Sequence, residues 1–177
     1  MRTSSHPMQT RAVTLPDIKG LGGAIAGFIA GVVMAIIGAL FALSSNNDIW
    51  LEAKQIAAMV YGPMAVAASG FVAGPVIVGT LIHFVVAIGL GALFGILFRS
   101  VFHIPSTFGA PIVAGLIYSM LIWFVAYFIV LPIINPTLLD MYAPNFIFQH
   151  LAYGLVLGIV YMILRSVPYN DDPRYMG

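Results

Sequence analysis

Residues 71–98 read FVAGPVIVGTLIHFVVAIGLGALFGILF, an uncharged run that ends at Arg99. A helix needs about 20 apolar residues to cross the hydrocarbon core of a bilayer. This run exceeds that length and holds one ionisable side chain, His83. Three more stretches, about 20–44, 108–134 and 145–164, are equally free of charge, each bounded by charge, Pro or Asn. The expected fold class is all-α: a polytopic membrane protein with four transmembrane helices in a single membrane domain, 1–177. The first stretch is too long for a signal peptide and lacks the basic start of one, so it reads as a retained span.

Composition points the same way. Of 177 residues, 61% are apolar and 7% charged, against about a quarter charged in a soluble domain. So little polar surface excludes a water-soluble enzyme and a disordered chain. A net charge of +1 gives no basic field and excludes a nucleic-acid partner, and the lack of cysteine excludes disulfide and thiolate chemistry.

The bases set an expected orientation. Arg2, Arg11 and Lys19 precede the first span, Arg99 closes the second, and Arg165 and Arg174 follow the fourth; only Lys54 lies on the other side. By the positive-inside rule the tails 1–19 and 165–177 are cytoplasmic. Within the first outer loop, Asp48 can cap a helix of about 48–60. Ile49, Trp50, Ala53, Ile56, Ala57 and Val60 fall on one face of it, and Glu52, Lys54 and Gln55 on the other. That pattern predicts an interfacial amphipathic helix, polar face outward, with Trp50 as its headgroup-level anchor.

Spans two and four align at an offset of 67 residues: His83 meets His150, Leu90 meets Leu157 and Gly91 meets Gly158. Ile25-Ala26-Gly27 and Val113-Ala114-Gly115 relate spans one and three, so the expected arrangement is two parallel-repeat hairpins. Small residues recur every fourth position: Gly23, Gly27, Gly31 and Ala35 in span one; Ala87, Gly91 and Gly95 in span two; Gly154 and Gly158 in span four. Such stripes let helix backbones approach closely in lipid, within one bundle or against a partner. Span three differs, broad and aromatic through Tyr118, Trp123, Phe124, Tyr127 and Phe128.

His83 and His150 are the ionisable side chains well inside the spans, each roughly 23 Å from the Arg99 and Arg165 ends by helix rise. An ionisable group at that depth is a functional-site hypothesis by default. Three readings fit the pair: hydrogen bonding to a neighbouring helix, axial ligation of haem b, and donation to a quinone carbonyl. A solute pathway through Thr80, Ser119, Gln149 and the histidines makes a fourth. No Asp, Glu, Lys or Arg lies within a span, and no zinc-spaced cluster, phosphate loop or nucleophile triad occurs. Catalysis is therefore not expected, no cofactor is required and no metal site is indicated.

The Leu131-Pro132-Ile133-Ile134-Asn135-Pro136 segment, followed by His150-Leu151-Ala152-Tyr153-Gly154-Leu155-Val156-Leu157-Gly158, resembles small bacterial four-helix membrane proteins of the YagU-like kind. The resemblance implies a multi-pass protein of the bacterial cytoplasmic (inner) membrane, with no catalytic residues to carry over. The functional expectation is a non-catalytic accessory subunit of a membrane complex in respiratory or photosynthetic quinone-linked electron transfer. Its partners would be lipids and other integral subunits, docked through spans one and two. The alternatives are a haem b or quinone subunit using His83 and His150, and a small transporter or channel.

Overall fold

The structure, a computed structural model, describes residues 20–102 and 109–164. The two tails, and His103 after span two, lie outside those residues.

The described chain is all-α. Its helices are α1 (Leu21–Ser44), α2 (Leu51–Tyr61), α3 (Ala73–Ile96), α4 (Ala110–Val125), the single-turn α5 (Leu131–Ile134) and α6 (Ala143–Leu164). Gly20 (φ 82°) and Gly109 (φ 75°) take the left-handed conformation at the starts of α1 and α4, where a Cβ would be strained. A π turn over Ala126–Val130 joins α4 to α5 just ahead of Pro132, which has no N–H to return to the carbonyl four residues back. Four helices are long and apolar enough to cross a membrane: Leu21–Ser44, Ala73–Arg99, Ala110–Ile134 and Ala143–Leu164, of 22 to 27 residues. At 1.5 Å per residue the shortest is about 33 Å long, enough for a core about 30 Å thick.

The bundle is closed on three sides. α1 packs on α3 and on α6, α6 packs on α4, and the backbones of α3 and α4 stand apart, bridged by Tyr118. Small residues explain the tight sides. A Cβ on Gly91 would strike the Gly23 carbonyl oxygen and the Gly27 Cα, and one on Gly27 would strike the Ala87 carbonyl oxygen. Across the bundle, a Cβ on Gly115 would strike the Gly154 carbonyl oxygen, and one on Gly158 would strike Pro111 and Ile112. Both crossings are backbone against backbone, the geometry that dispersion rewards in lipid. Tyr153 and Tyr161 reach diagonally from α6 to the carbonyls of Ala87 (2.7 Å) and Gly95 (3.4 Å) on α3.

The stripe on α1 departs from the expected line. Gly23, Gly27 and Gly31 are buried but Ala35 is exposed, and the buried line continues through Met34 and Gly38. Residues four apart advance about 40° beyond a full turn, so three such steps carry Ala35 off the contact face.

The outer-loop helix is the larger correction. The sequence pattern turned Glu52, Lys54 and Gln55 outward; in the structure Lys54 and Gln55 are buried, Glu52 is partly buried, and Ile49 and Val60 are exposed. α2 packs on α3, with Ala53 against Gly79, and its polar face meets protein. Asp48 does not cap the helix, since α2 begins without a side-chain cap. Its carboxylate instead pairs with Lys54 and accepts from the N–H groups of Trp50 and Gly70 (3.1 and 2.9 Å). Lys54 Nζ donates also to the Ala68 carbonyl at 2.6 Å, tying 67–70 to α2. Burial pushes the Asp48 carboxyl up, but these hydrogen bonds and the Lys54 charge outweigh it and hold the group below its ordinary value. Trp50 stands exposed, edge-on to Phe71 at 5.2 Å. The apolar stretch after α2 forms a 3-10 turn (Gly62–Val66) and then coil, with Met64 and Phe71 exposed.

Candidate ligand-binding cavity

Where α3 and α4 stand apart, a cavity of about 850 Å³ runs between them, open along one side. α6 supplies its floor through Phe146, His150 and Tyr153, and α2 closes one end with Glu52, Ile56 and Met59. Its far end is aromatic and aliphatic: Phe94, Leu97, Phe98 and Phe102. From His83 to Phe98 the α3 wall is about 22 Å long. The volume falls in the range of pockets that enclose whole small ligands. Valine and leucine at the open rim, Val86 and Leu121, are among the exposed large side chains.

Both histidines line this cavity. His83 Nε2 lies 2.9 Å from the Gly31 carbonyl oxygen on α1, and His150 Nδ1 lies 2.9 Å from the Phe146 carbonyl oxygen one turn earlier in α6. A carbonyl only accepts, so the nitrogen facing it carries the proton in each ring. His83 also meets the ring of Phe84 edge-on at 5.2 Å, and His150 that of Phe146 at 4.5 Å. At Gly31 a Cβ would strike that of Ala87, so this glycine lets α1 and α3 approach closely at the level of His83.

Four further polar side chains line the cavity, none of them chosen from the sequence as a site residue. Asn135 follows the single turn of α5 and is 3% exposed. Its Nδ2 donates to the carbonyls of Gln55 (2.9 Å) and Ile56 (3.3 Å), and its Oδ1 is buried with no partner. Tyr118 donates to the Leu90 carbonyl at 2.8 Å, Tyr153 to that of Ala87. Glu52 enters from α2, accepting from Gln149 Nε2 at 3.4 Å, and its carboxylate rests against Gly38, where a Cβ would collide with it. Burial raises the Glu52 carboxyl to about 7, with the Gln149 contact opposing. The signal that points to Glu52 is Gly38: a gap on α1 facing α2 invites a side chain from above. Among the described residues no group of three or more His, Cys, Asp or Glu could hold a metal ion.

The packing glycines fall elsewhere. Gly23, Gly27, Gly91 and Gly95 line the α1–α3 crossing and Gly154 and Gly158 the α4–α6 crossing, while Ala87 serves both the α1–α3 crossing and the cavity wall.

A family model covers residues 18–172, nearly all of the chain, under the description "Family of unknown function (DUF6789)". The chain belongs to that family. No curated protein and no solved structure gives a significant match, and nothing in these comparisons supports the YagU-like resemblance. Membership in DUF6789 carries no activity with it, so the cavity's own chemistry has to carry the functional reading.

Proposed function

We propose that the protein is a membrane-embedded binding protein for one long-chain lipophile, held in the groove between α3 and α4 with its polar head at the α2 end. The observation that supports this is the opened fourth side of the bundle. Its polar groups lie between the α2 end and the level of Leu90, and from Leu90 to Phe98 its walls are apolar for about 12 Å. An isoprenoid or alkyl tail suits such walls, and the exposed rim at Val86 and Leu121 lets it enter from the bilayer plane. The quinone class expected from the two histidines has this shape: a polar ring on a long tail. A haem b held by both rings draws less support, because His83 turns Nε2 to the Gly31 carbonyl and keeps only the more hindered Nδ1.

With the bases as guide, the α2 end is the outer end, and both tails are cytoplasmic in a multi-pass inner-membrane protein. The matching crossings favour the parallel-repeat reading. Gly27 meets the Ala87 carbonyl and Gly91, Gly115 meets the Gly154 carbonyl and Gly158, and the offset of 67 residues pairs Ala87 with Gly154 and Gly91 with Gly158.

The test is equilibrium binding of a long-tailed quinone to the purified full chain in nanodiscs, with Leu121→Trp and Val86→Trp as groove-filling variants. Saturable binding by the native chain, weakened at least about tenfold by the double variant, is the expected result. Equal partition into protein-free nanodiscs sinks the proposal.

A second reading, a non-catalytic accessory subunit of a quinone-linked complex, is favoured by the span Ala110–Ile134, whose apolar window is only 11% buried. Its exposed Ile117, Leu121, Phe124 and Phe128 offer a face for another integral subunit. Docking through spans one and two draws no support, since their small residues already meet each other. A single species on a native gel of solubilised membranes would remove this reading.

A further inference from the structure

We infer that the groove selects a lipophile whose head presents hydroxyl donors, which in the quinone class is the quinol and not the quinone. The inference rests on the groove reading above and concerns the chemistry of its lining. Six polar side chains line the cavity: Glu52, His83, Tyr118, Asn135, His150 and Tyr153. Five of them donate, and every one of those donors already points at a backbone carbonyl: Gly31 for His83, Leu90 for Tyr118, Gln55 and Ile56 for Asn135, Phe146 for His150, Ala87 for Tyr153.

What remains is one kind of group. A neutral imidazole that donates from one nitrogen carries a lone pair on the other, so His83 offers Nδ1 and His150 offers Nε2. An imidazolium, which alone would restore a donor, is costly at that depth. Asn135 cannot flip its amide, because its Nδ2 faces two acceptors; Oδ1 is left buried and unpartnered. Each tyrosine oxygen keeps lone pairs, and Glu52, ionised at the pH 8 of the experiment below, accepts only. A quinone, ether or ester head brings more acceptors and leaves the Asn135 oxygen unsatisfied, whereas a hydroxyl completes it. A site of buried polar groups rejects the analogue that lacks their partner far more strongly than a pocket of apolar walls can. The expectation of a histidine donating to a quinone carbonyl is thus reversed: the ring nitrogens here receive the hydrogen bond.

The experiment uses the full chain in nanodiscs under anaerobic conditions at pH 8, with decylubiquinol, decylubiquinone and the dimethyl ether of the quinol, which share one tail. The quinol binds at least about tenfold more tightly than the other two. Asn135→Leu and His150→Phe cut that preference to less than about threefold while both ligands still bind, and His150→Gln, which keeps a donor and an acceptor, restores it. Equal affinity for all three heads on the native chain overturns the inference and leaves the groove standing. Binding of none of them overturns the groove reading and the inference with it. A preference for quinol that survives in both Asn135→Leu and His150→Phe also overturns the assignment, since the selectivity then lies outside these residues.

Discussion

α3 treats two of its neighbours differently. Toward α1 it presents Ala87, Gly91 and Gly95, and the two backbones meet; toward α4 it presents Val86, Leu90 and Leu97, and a cavity opens. Both faces are apolar, so hydrophobicity does not separate them. In lipid, where apolar surface gains little by leaving its solvent, what closes an interface is the approach of backbones, and only small residues permit it. α4 has its own small residue, Gly115, but that one faces α6. The glycines at both crossings, Gly91 and Gly95 on α3 and Gly115 on α4, are engaged on another side, and the α3–α4 side stays open.

Adding bulk to the closed side should hurt most. Gly91→Leu drives a side chain into Gly23 and Gly27, whose backbones cannot yield, and should destabilise the fold by more than about 3 kcal/mol. Thermal unfolding in detergent reads this directly, and a loss below about 1 kcal/mol would mean that the crossing is not as tight as described. Next comes the α2 end, which keeps the cavity covered. Lys54→Met leaves the partly exposed Asp48 without its cation and the Ala68 carbonyl without a donor, at about 2 kcal/mol. Limited proteolysis of 62–72 should accelerate in that variant.

Glu52 ranks third and gives the comparison a pH axis. Its ordinary value of 4.5 is raised to about 7 by burial, so the folded state holds this proton more tightly than the unfolded chain does. The corresponding stability is complete below about 4.5 and is lost as pH rises through about 7, roughly 2 kcal/mol after allowing for the group's partial exposure. Unfolding of the native chain measured at pH 5 and pH 8 should differ by about that amount more than it does in Glu52→Gln. Equal differences in the two proteins would place the carboxyl in water. The smallest effect belongs to the open side: Leu121→Trp, at an exposed rim position, should change stability by less than about 0.5 kcal/mol. Added bulk is thus damaging on one face of the bundle and harmless on the other.

Much of this architecture is legible in the letters. Lack of charge over four long stretches requires helices, because no other open structure satisfies its backbone in lipid. The fourfold spacing of glycines marks the close faces, although its drift around the helix hides where a stripe ends, as Ala35 shows. The two histidines stand out because nothing else ionisable lies so deep. What stays hidden is direction. An amphipathic pattern in α2 says that Glu52, Lys54 and Gln55 share a side but not whether water or protein meets it. Polar groups that face a protein cavity and polar groups that face solvent look alike in one dimension. Asn135 is hidden for a different reason: its role depends on the carbonyls of Gln55 and Ile56, remote in the chain, and such pairings leave no local trace.

Native mass spectrometry of the intact chain, released from its own membrane in mild detergent, tests the open groove most directly. The account predicts one bound lipophile per chain that survives gentle activation, and its loss from the Val86→Trp, Leu121→Trp double variant with the fold intact. A bare chain mass, or an adduct equally abundant in the double variant, would contradict it.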